Sequence, residues 1–256
     1  DSALGSAVIE KSLRIDQGTS DADSGSNYYR TFGSGNRRIF TMSMWVKKCG
    51  TPGNISDDQY TLFSCGGGGA NSYSGRLNFN TSDQLSFKVA APAPTTHADV
   101  TTNRKFRDSS SWYHIVFAAD TTQGTSSNRL KLYVNGVQET DLASSTYPSQ
   151  NYELYFNLNV QHRIGSNSIW SDLSRSYGNF NGYIAEFNFI DGTALTPSSF
   201  GFTDPQTGIW MPKRFEKSSI PNKKGTTFSG SGWTVSGGGG FSGSKPITNA
   251  YNGSIG

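Results

Sequence analysis

Cysteine is scarce in this chain, with two in 256 residues, Cys49 and Cys65, and that excludes a scaffold held by disulfides. Charge is scarce as well. Asp, Glu, Lys and Arg make up 16% of the chain, so its polar surface has to be built from Ser, Thr, Asn and Gly. The formal charge of +3 comes from basic residues that are scattered apart from short pairs such as Arg37-Arg38 and Lys223-Lys224. With neither a basic stripe nor a recognisable module, nucleic acid is not expected as a partner. No apolar run approaches the roughly 20 residues that cross a bilayer, so membrane insertion is not expected either. The three histidines, His97, His114 and His162, lack metal-ligand spacing. The opening "DSALGSAVIE" has neither an initiating Met nor the apolar stretch of a signal peptide, and reads as a piece or processed form of something larger.

Helical periodicity is also missing, since no helix-length window sustains a three-four repeat and Gly and Ser-Ser clusters recur throughout. The residue mixture, 34% hydrophobic and 13% aromatic, suits a β-rich, loop-rich extracellular or particle-bound protein. The length allows one large β domain or two smaller ones.

What is present is a series of short strand signals separated by turn chemistry. They are "SLRID" (12–16), "RIFTMSMWVKK" (38–48), "YTLFSC" (60–65), "GRLNFNT" (75–81), "QLSFKVA" (84–90), "WYHIVFAAD" (112–120), "RLKLYV" (129–134), "VQET" (137–140), "QHRIGS" (161–166) and "FNGYIAEFNFID" (180–191). In "LKLYVNGVQ" the Asn135-Gly136 pair predicts a type I′ hairpin. There Val137 opposes Val134, and Glu139 faces Leu132, so the return strand should leave the sheet early. Strict alternation in 180–191 places Tyr183, Ala185, Phe187 and Phe189 on one face and Ile184, Glu186, Asn188 and Ile190 on the other. If the runs ending in Cys49 and Cys65 are consecutive antiparallel strands, the thiols sit at opposite ends. An offset of about five residues is about 16 Å, against the roughly 7 Å Cα separation that a disulfide tolerates, so free thiols are expected.

Beyond residue 191 the pattern changes. Thr196 and Pro197 can open one helical turn, and "GIWMPKRF" (208–215) suits an edge segment. We therefore read residues 1–215 as one β-sandwich and 216–256 as a Gly/Ser-rich arm or linker toward a further module. The isolated Phe228, Trp233, Val235 and Phe241 in that arm are unusual for a free linker.

The order of "FTMSMWVKK", "LFS", "SWYHIVFAADTT", "NRLKLYVNGVQ", "HRIGS" and "FNGYIAEFNFIDGTALTPSSFG" resembles the concanavalin A-like, laminin-G-like jelly-roll modules of large viral and bacterial surface proteins. The resemblance covers about residues 12–212 and implies an all-β, antiparallel jelly-roll sandwich. The closing phrase "GYIAEFNFIDGTALTPSSFG" with "TGIWMPK" is similar to modules repeated in bacteriophage tail fibres and other virion appendages. That implies a non-enzymatic structural or attachment protein on a virion. Its partners would be other virion proteins, its own copies in a homo-oligomer (a trimer by preference), and a host-surface polysaccharide. A carbohydrate-binding adhesin outside a virion, and a glycoside hydrolase on the same fold, remain the alternatives.

Relatives on this fold that hydrolyse glycans need two carboxylates facing one cleft. Glu139-x-Asp141 is followed by Leu142, Ala143 and Ser144, so the third acid of the laminarinase-like signature is absent, and Glu10, Glu153, Glu186 and Glu216 stand alone. No catalytic residue is assigned. His114 inside "WYHIVF" reads as a hydrogen-bonded structural histidine, and "CGGGGA" (65–70) as a loop tip without the Lys of a phosphate loop. Calcium is possible but unsupported, because "NISDDQ" (54–59) and "DGT" (191–193) supply only partial ligand sets; no cofactor is expected. Sugar recognition calls for an aromatic face and a few polar groups. The loop "NSIWSDLSRSYGN" (167–179) offers Trp170, Asp172, Arg175 and Tyr177, and "TYPSQNYELYF" (146–156) offers Tyr147, Tyr152 and Tyr155. Trp170, Asp172, Arg175, Tyr177 and Tyr152 are the candidate carbohydrate contacts, with packing on a neighbouring subunit as the competing use of the same rings.

Overall fold

The computed structural model describes residues 9–16, 27–50, 60–66, 74–90, 96–167, 178–215 and 234–236. It is an antiparallel jelly-roll sandwich. One sheet has six strands in the order β1 (Leu13–Ile15), β13 (Gly182–Asp191), β3 (Ile39–Lys48), β8 (Tyr113–Asp120), β9 (Leu130–Val134) and β10 (Val137–Gln138). The other has eight, in the order β11 (Leu142–Thr146), β7 (Thr96–Lys105), β6 (Gln84–Ala90), β5 (Ser74–Phe79), β4 (Tyr60–Gly66), β12 (Gln161–Ile164), β2 (Asn27–Thr31) and β16 (Thr234–Ser236). A small hairpin joins β14 (Gly201–Thr203) to β15 (Trp210–Pro212).

The alternating runs form strands where expected, with ends shifted by a residue or two. β2, β7 and β11 carry no apolar run and are additions to the sequence reading. β7 keeps period 2 with small residues, Ala98 and Val100 being buried, while β11 is paired to β7 with no fully buried residue of its own. Within the Gly/Ser-rich arm, Thr234–Ser236 pairs with β2.

Two details differ from the strict sequence pattern. In β13 the register to β3 slips between Ala185 and Asn188, and Glu186 takes φ +47°. This one-residue bulge inverts the alternation, so Ile184 shares the core face with Phe187 and Phe189 while Ile190 joins a second cluster on the outer face. Second, β3 and β4 lie in different sheets, so the strand-offset argument for the cysteines does not apply. Both thiols are nonetheless free, and burial pushes the Cys65 thiol far up.

The interior is aromatic. Phe156 arrives from the loop before β12 and lies between the sheets, 5.9 Å from Phe40 of one and 5.6 and 5.5 Å from Phe63 and Phe87 of the other. Gly75 of β5 makes the room, since a Cβ there would stand 2.6 Å from the Phe156 ring. The loop is held by backbone-directed bonds: Arg37 Nε donates to Leu154 O at 2.8 Å, and Asn157, at φ +67°, donates through Nδ2 to Asn36 O at 3.1 Å and Asp191 Oδ1 at 2.5 Å. His162, stacked at 3.7 Å on Phe32, accepts at Nε2 from Asn157 N and donates from Nδ1 to Val160 O.

Outside the six-stranded sheet, residues 192–215 form a strap. Phe200, Leu195 and Phe215 pack on Val116, Ile190 and Tyr133. Trp210 covers the β9–β10 turn, whose Asn135 and Gly136 have φ +49° and +82° as a type I′ turn requires. The return strand is two residues long, as the Glu139 register implies. The turn at Pro197–Ser199 is a 3-10 turn after Thr196.

At the end of β3 the Lys48 ammonium is buried, 2.6 Å from Asp83 Oδ1 and 2.7 Å from Phe106 O, over the rings of Phe79 and Tyr60. Burial pushes the Lys48 pKa down and Asp83 pulls it back up. This pair ties the first sheet to the β5–β6 turn of the second, where Asp83 sits at φ +62°. Asp83→Asn keeps the turn geometry but leaves the cation uncompensated, and should cost about 3–5 kcal/mol in urea unfolding. Lys48→Met combined with Asp83→Asn should recover most of that loss; equal losses in the single and double variants would show that the pair does not close this end of the sandwich.

Candidate functional site

Side chains on the outer face of the eight-stranded sheet fall into two polar rows because the strands are in register. One row runs Tyr29 (β2), Arg163 (β12), Ser64 (β4), Arg76 (β5), Lys88 (β6), Asp99 (β7) and Thr146 (β11). The next runs Thr61 (β4), Asn78 (β5), Ser86 (β6), Thr101 (β7) and Ser144 (β11). Core residues alternate with them along each strand: Leu77 and Phe79 on β5, Leu85, Phe87 and Val89 on β6, Ala98 and Val100 on β7. Period 2 therefore makes one face a core and the other a hydroxyl, amide and guanidinium floor.

The floor is organised. Lys88 Nζ pairs with Asp99 Oδ2 at 3.0 Å, Thr101 Oγ1 donates to Asp99 Oδ1 at 2.7 Å, and the Ser86 and Thr101 hydroxyls are 2.9 Å apart. The Arg163 guanidinium lies 5.7 Å over the half-buried Tyr29 ring, with its Nε on Gln161 Oε1. Thr61, Ser64, Asn78, Ser86 and Arg163 are buried; Arg76, Lys88 and Asp99 are half-buried. Buried polar groups cost about 1–3 kcal/mol each when left unpaired. Thr61 Oγ1, Ser166 Oγ and Asn167 Oδ1 are buried without a hydrogen-bond partner among the described residues.

Those three atoms share a location. Gly165 N donates to Leu62 O, Ser64 Oγ to Ser166 O, and Thr61 N to Gly178 O, while Thr61 bridges to Asn179. Both stems of the 167–179 segment, residues 165–167 and 178–179, thus lie beside β4. Trp170, Asp172, Arg175 and Tyr177 themselves lie outside the described residues, as do the "NISDDQ" acids and Gly67 to Ala70 of the Gly-rich tip.

The second aromatic loop does not present its rings to a ligand. Tyr155 is buried, and Tyr152 and Tyr147 pack against the core. The Tyr152 hydroxyl is 3.0 Å from that of Tyr155, and its ring stacks at 4.8 Å on His97. Tyr152 is thus half-buried, because Leu154 and Phe156 anchor its loop in the interior. Tyr29, Arg76, Lys88 and Arg163 were missed; the signal for Arg76 and Lys88 was the polar half of the alternation in "GRLNF" and "QLSFKVA", which faces a ligand as readily as it faces water.

The acids that could serve chemistry are engaged in structure. Glu139 pairs with Arg104 at 2.8 Å, Glu153 with Arg37 and Arg38 at 2.9 and 3.1 Å, and Asp141 accepts from Asn103 at 2.6 Å. Asp191, of the "DGT" set, accepts from Asn36 N and Asn157 Nδ2. Glu186 sits on the opposite sheet, its carboxyl pushed up by desolvation and pulled back by Arg214. Among the described residues no three His, Cys, Asp or Glu side chains are grouped to hold a metal.

Ser43 and His114 form a buried pair, with Oγ 3.0 Å from Nε2, but their chemistry is fixed from the far side. Trp210 Nε1, which can only donate, is 2.9 Å from His114 Nδ1. The imidazole proton therefore resides on Nε2 and donates to Ser43, so no base is available to activate that hydroxyl. His114 is structural, as its strand context implied, stacked on Trp45 at 4.9 Å.

A family model for the concanavalin A-like lectin/glucanases superfamily matches residues 23–199. No curated protein sequence matches the chain. Among solved structures it is similar to the CBM40 of the Ruminococcus gnavus IT-sialidase bound to α2,3-sialyllactose, with 14% identity, 76% of this chain and 96% of that chain covered, and a TM-score of 0.45. It is also similar to tailspike protein 2 from the Escherichia coli O157:H7 bacteriophage CAB120, with 15% identity, 78% of this chain but 24% of that one covered, and a TM-score of 0.43. For the leech intramolecular trans-sialidase the values are 12% identity, 68% and 26% coverage and 0.43. The chain thus spans about a quarter of each of the latter two, and at these identities the likeness is one of fold.

Burial holds the imidazoles of His114 and His162 down to about 3, against about 6.5 in an unfolded chain. Below pH 6.5 the unfolded state takes up protons that the folded state refuses, so stability is full above that pH and falls as pH drops toward 3. Urea midpoints measured from pH 7 to 4 should decline, and His114→Gln should flatten the decline by about one proton. A slope unchanged by the substitution would contradict the buried neutral assignment.

Proposed function

Because this chain belongs to the concanavalin A-like lectin/glucanases superfamily, we propose that it is a non-enzymatic carbohydrate-binding module, with its sugar on the polar floor of the eight-stranded sheet. The observation that carries this reading is the junction of that floor with the stems of the 167–179 segment, where Thr61 Oγ1, Ser166 Oγ and Asn167 Oδ1 lack partners among the described residues. Sugar hydroxyls both donate and accept, and the half-buried Tyr29, Arg76, Lys88 and Asp99 of the first row offer them a ring, donors and an acceptor. Trp170 and Tyr177 belong to the segment between the stems at 165–167 and 178–179.

Binding is favoured over hydrolysis by the carboxylate distribution. Cleavage of a glycosidic bond uses two acids across one bond, about 5–9.5 Å apart, whereas the two rows contain one, Asp99, already held by Lys88 and Thr101. The setting we propose is a bacteriophage virion, as a tail-fibre, spike or capsid appendage that assembles as a homo-oligomer, preferably a trimer, and adheres to host-surface polysaccharide. The basis is the similarity of "GYIAEFNFIDGTALTPSSFG" with "TGIWMPK" to repeated modules of such appendages.

A glycan array comparing the native chain with Tyr29→Ala, Arg76→Ala, Trp170→Ala and Tyr177→Ala tests the site. Loss of a floor or loop contact should weaken binding about tenfold, corresponding to about 1.4 kcal/mol. Signals unchanged in all four variants would remove the floor as the binding surface, and a reducing-end assay that detects product from a bound polysaccharide would overturn the non-enzymatic reading.

A further inference from the structure

The outer face of the six-stranded sheet is divided. Its upper part, with Thr41, Ser43, Trp45, His114, Val116 and Ile190, lies under the 192–215 strap: Thr41 bonds Thr193 and Leu195, His114 bonds Trp210, and Val116 and Ile190 pack on Phe200. One register step further along lies a second set of outward side chains. There Arg14 (β1) pairs with Tyr183 (β13), Tyr183 pairs with Lys47 (β3), and Trp112, the residue before β8, follows from the Val46 to Tyr113 register. All four point outward, because their neighbours Leu13, Ile15, Val46, Tyr113 and Ile184 belong to the core.

These residues form a built patch. The Tyr183 and Trp112 rings are 6.4 Å apart at 51°, although strands two apart are about 9.6 Å apart, so the rings lean toward each other over the Lys47 stem. The Arg14 guanidinium lies 5.4 Å over Tyr183 and is fixed by bonds to Asn181 Oδ1 at 2.9 Å and Gly182 O at 3.4 Å. Trp112, Tyr183 and Lys47 are half-buried and Arg14 is exposed. Lys47 has no carboxylate partner among the described residues. Asp108 accepts from Ser110 and Ser111, and Glu186 interacts with Arg214.

We propose that this patch is a second glycan contact, on the opposite sheet from the polar floor, that selects anionic sugars: Trp112 stacks on a sugar ring while Lys47 and Arg14 hold its carboxylate or sulfate. An aromatic face flanked by two cations complements a ring that carries a negative substituent. A neutral sugar would leave the two cations unanswered. Tyr183, held between Arg14 and Trp112, is a positioning residue. The inference rests on the reading of the chain as a glycan binder but uses none of the same side chains.

Affinity electrophoresis of the full chain in gels containing alginate (carboxylated), dextran sulfate (sulfated) or dextran (neutral) tests it. Retardation by one or both anionic polymers and not by dextran is expected, weakened about tenfold by Trp112→Ala or by Lys47→Gln with Arg14→Gln, and reduced by 0.5 M salt. Thermal unfolding of each variant guards against misfolding. If retardation survives in these variants and is lost in Tyr29→Ala with Arg76→Ala, the second patch falls and the floor stands; the reverse result supports the patch and leaves the floor to the glycan array. Equal retardation by dextran, no retardation at all, or a change confined to oligomeric state on size exclusion would each overturn the proposal.

Discussion

The sandwich depends on one insertion. Phe156 is not part of either sheet, yet its ring touches aromatic residues of both, and the packing of interiors leaves little tolerance for a missing or displaced ring. Around it the chain has arranged a glycine at position 75 that yields space, an Asn157 in left-handed conformation that turns the loop, and a His162 that must stay neutral to accept from the Asn157 amide. Because the loop is clamped from inside, the curvature and spacing of the two sheets are set by a ring contact and not by the strands alone.

The same insertion explains what could be read in the sequence and what could not. Strands with strong alternation, such as β3, β6, β8 and β9, were visible because their buried residues are large and their partners polar. β7 and β11 were not, because Ala98, Val100 and the Ser and Thr residues of β11 are recruited by pairing rather than by burial of large side chains. The β13 bulge escaped for a related reason: inserting one residue at Glu186 leaves composition unchanged but exchanges faces, and only the register to β3 reveals it. The fold class was legible from the order of the segments; the side of the sheet on which Ile184 lies was not.

Of the candidate site, the floor was not legible in the sequence. Sequence reasoning looks for aromatic residues in loops, and Tyr152 met that description while serving the core through His97 and Tyr155. Residues such as Arg76, Lys88 and Asn78 look like the solvent half of an amphipathic strand. Their distinction arises only when six strands bring Tyr29, Arg163, Ser64, Arg76, Lys88 and Asp99 into one row. Trp112 and Tyr183 show the same limit on the other sheet, since about seventy residues separate them in sequence while one strand separates them in space.

The lengths of the edge strands carry a consequence for behaviour in company. The two sheets end in strands of three and two residues on one side of the sandwich, and of five and three on the other. An unpaired edge recruits strands from neighbouring chains in proportion to its length and flatness, and here the long inner strands are never at the margin. Where β2 would have been the last strand, three residues of the Gly/Ser-rich stretch pair against it. Among the described residues, the margins therefore offer a neighbouring chain only short strips of backbone to pair with.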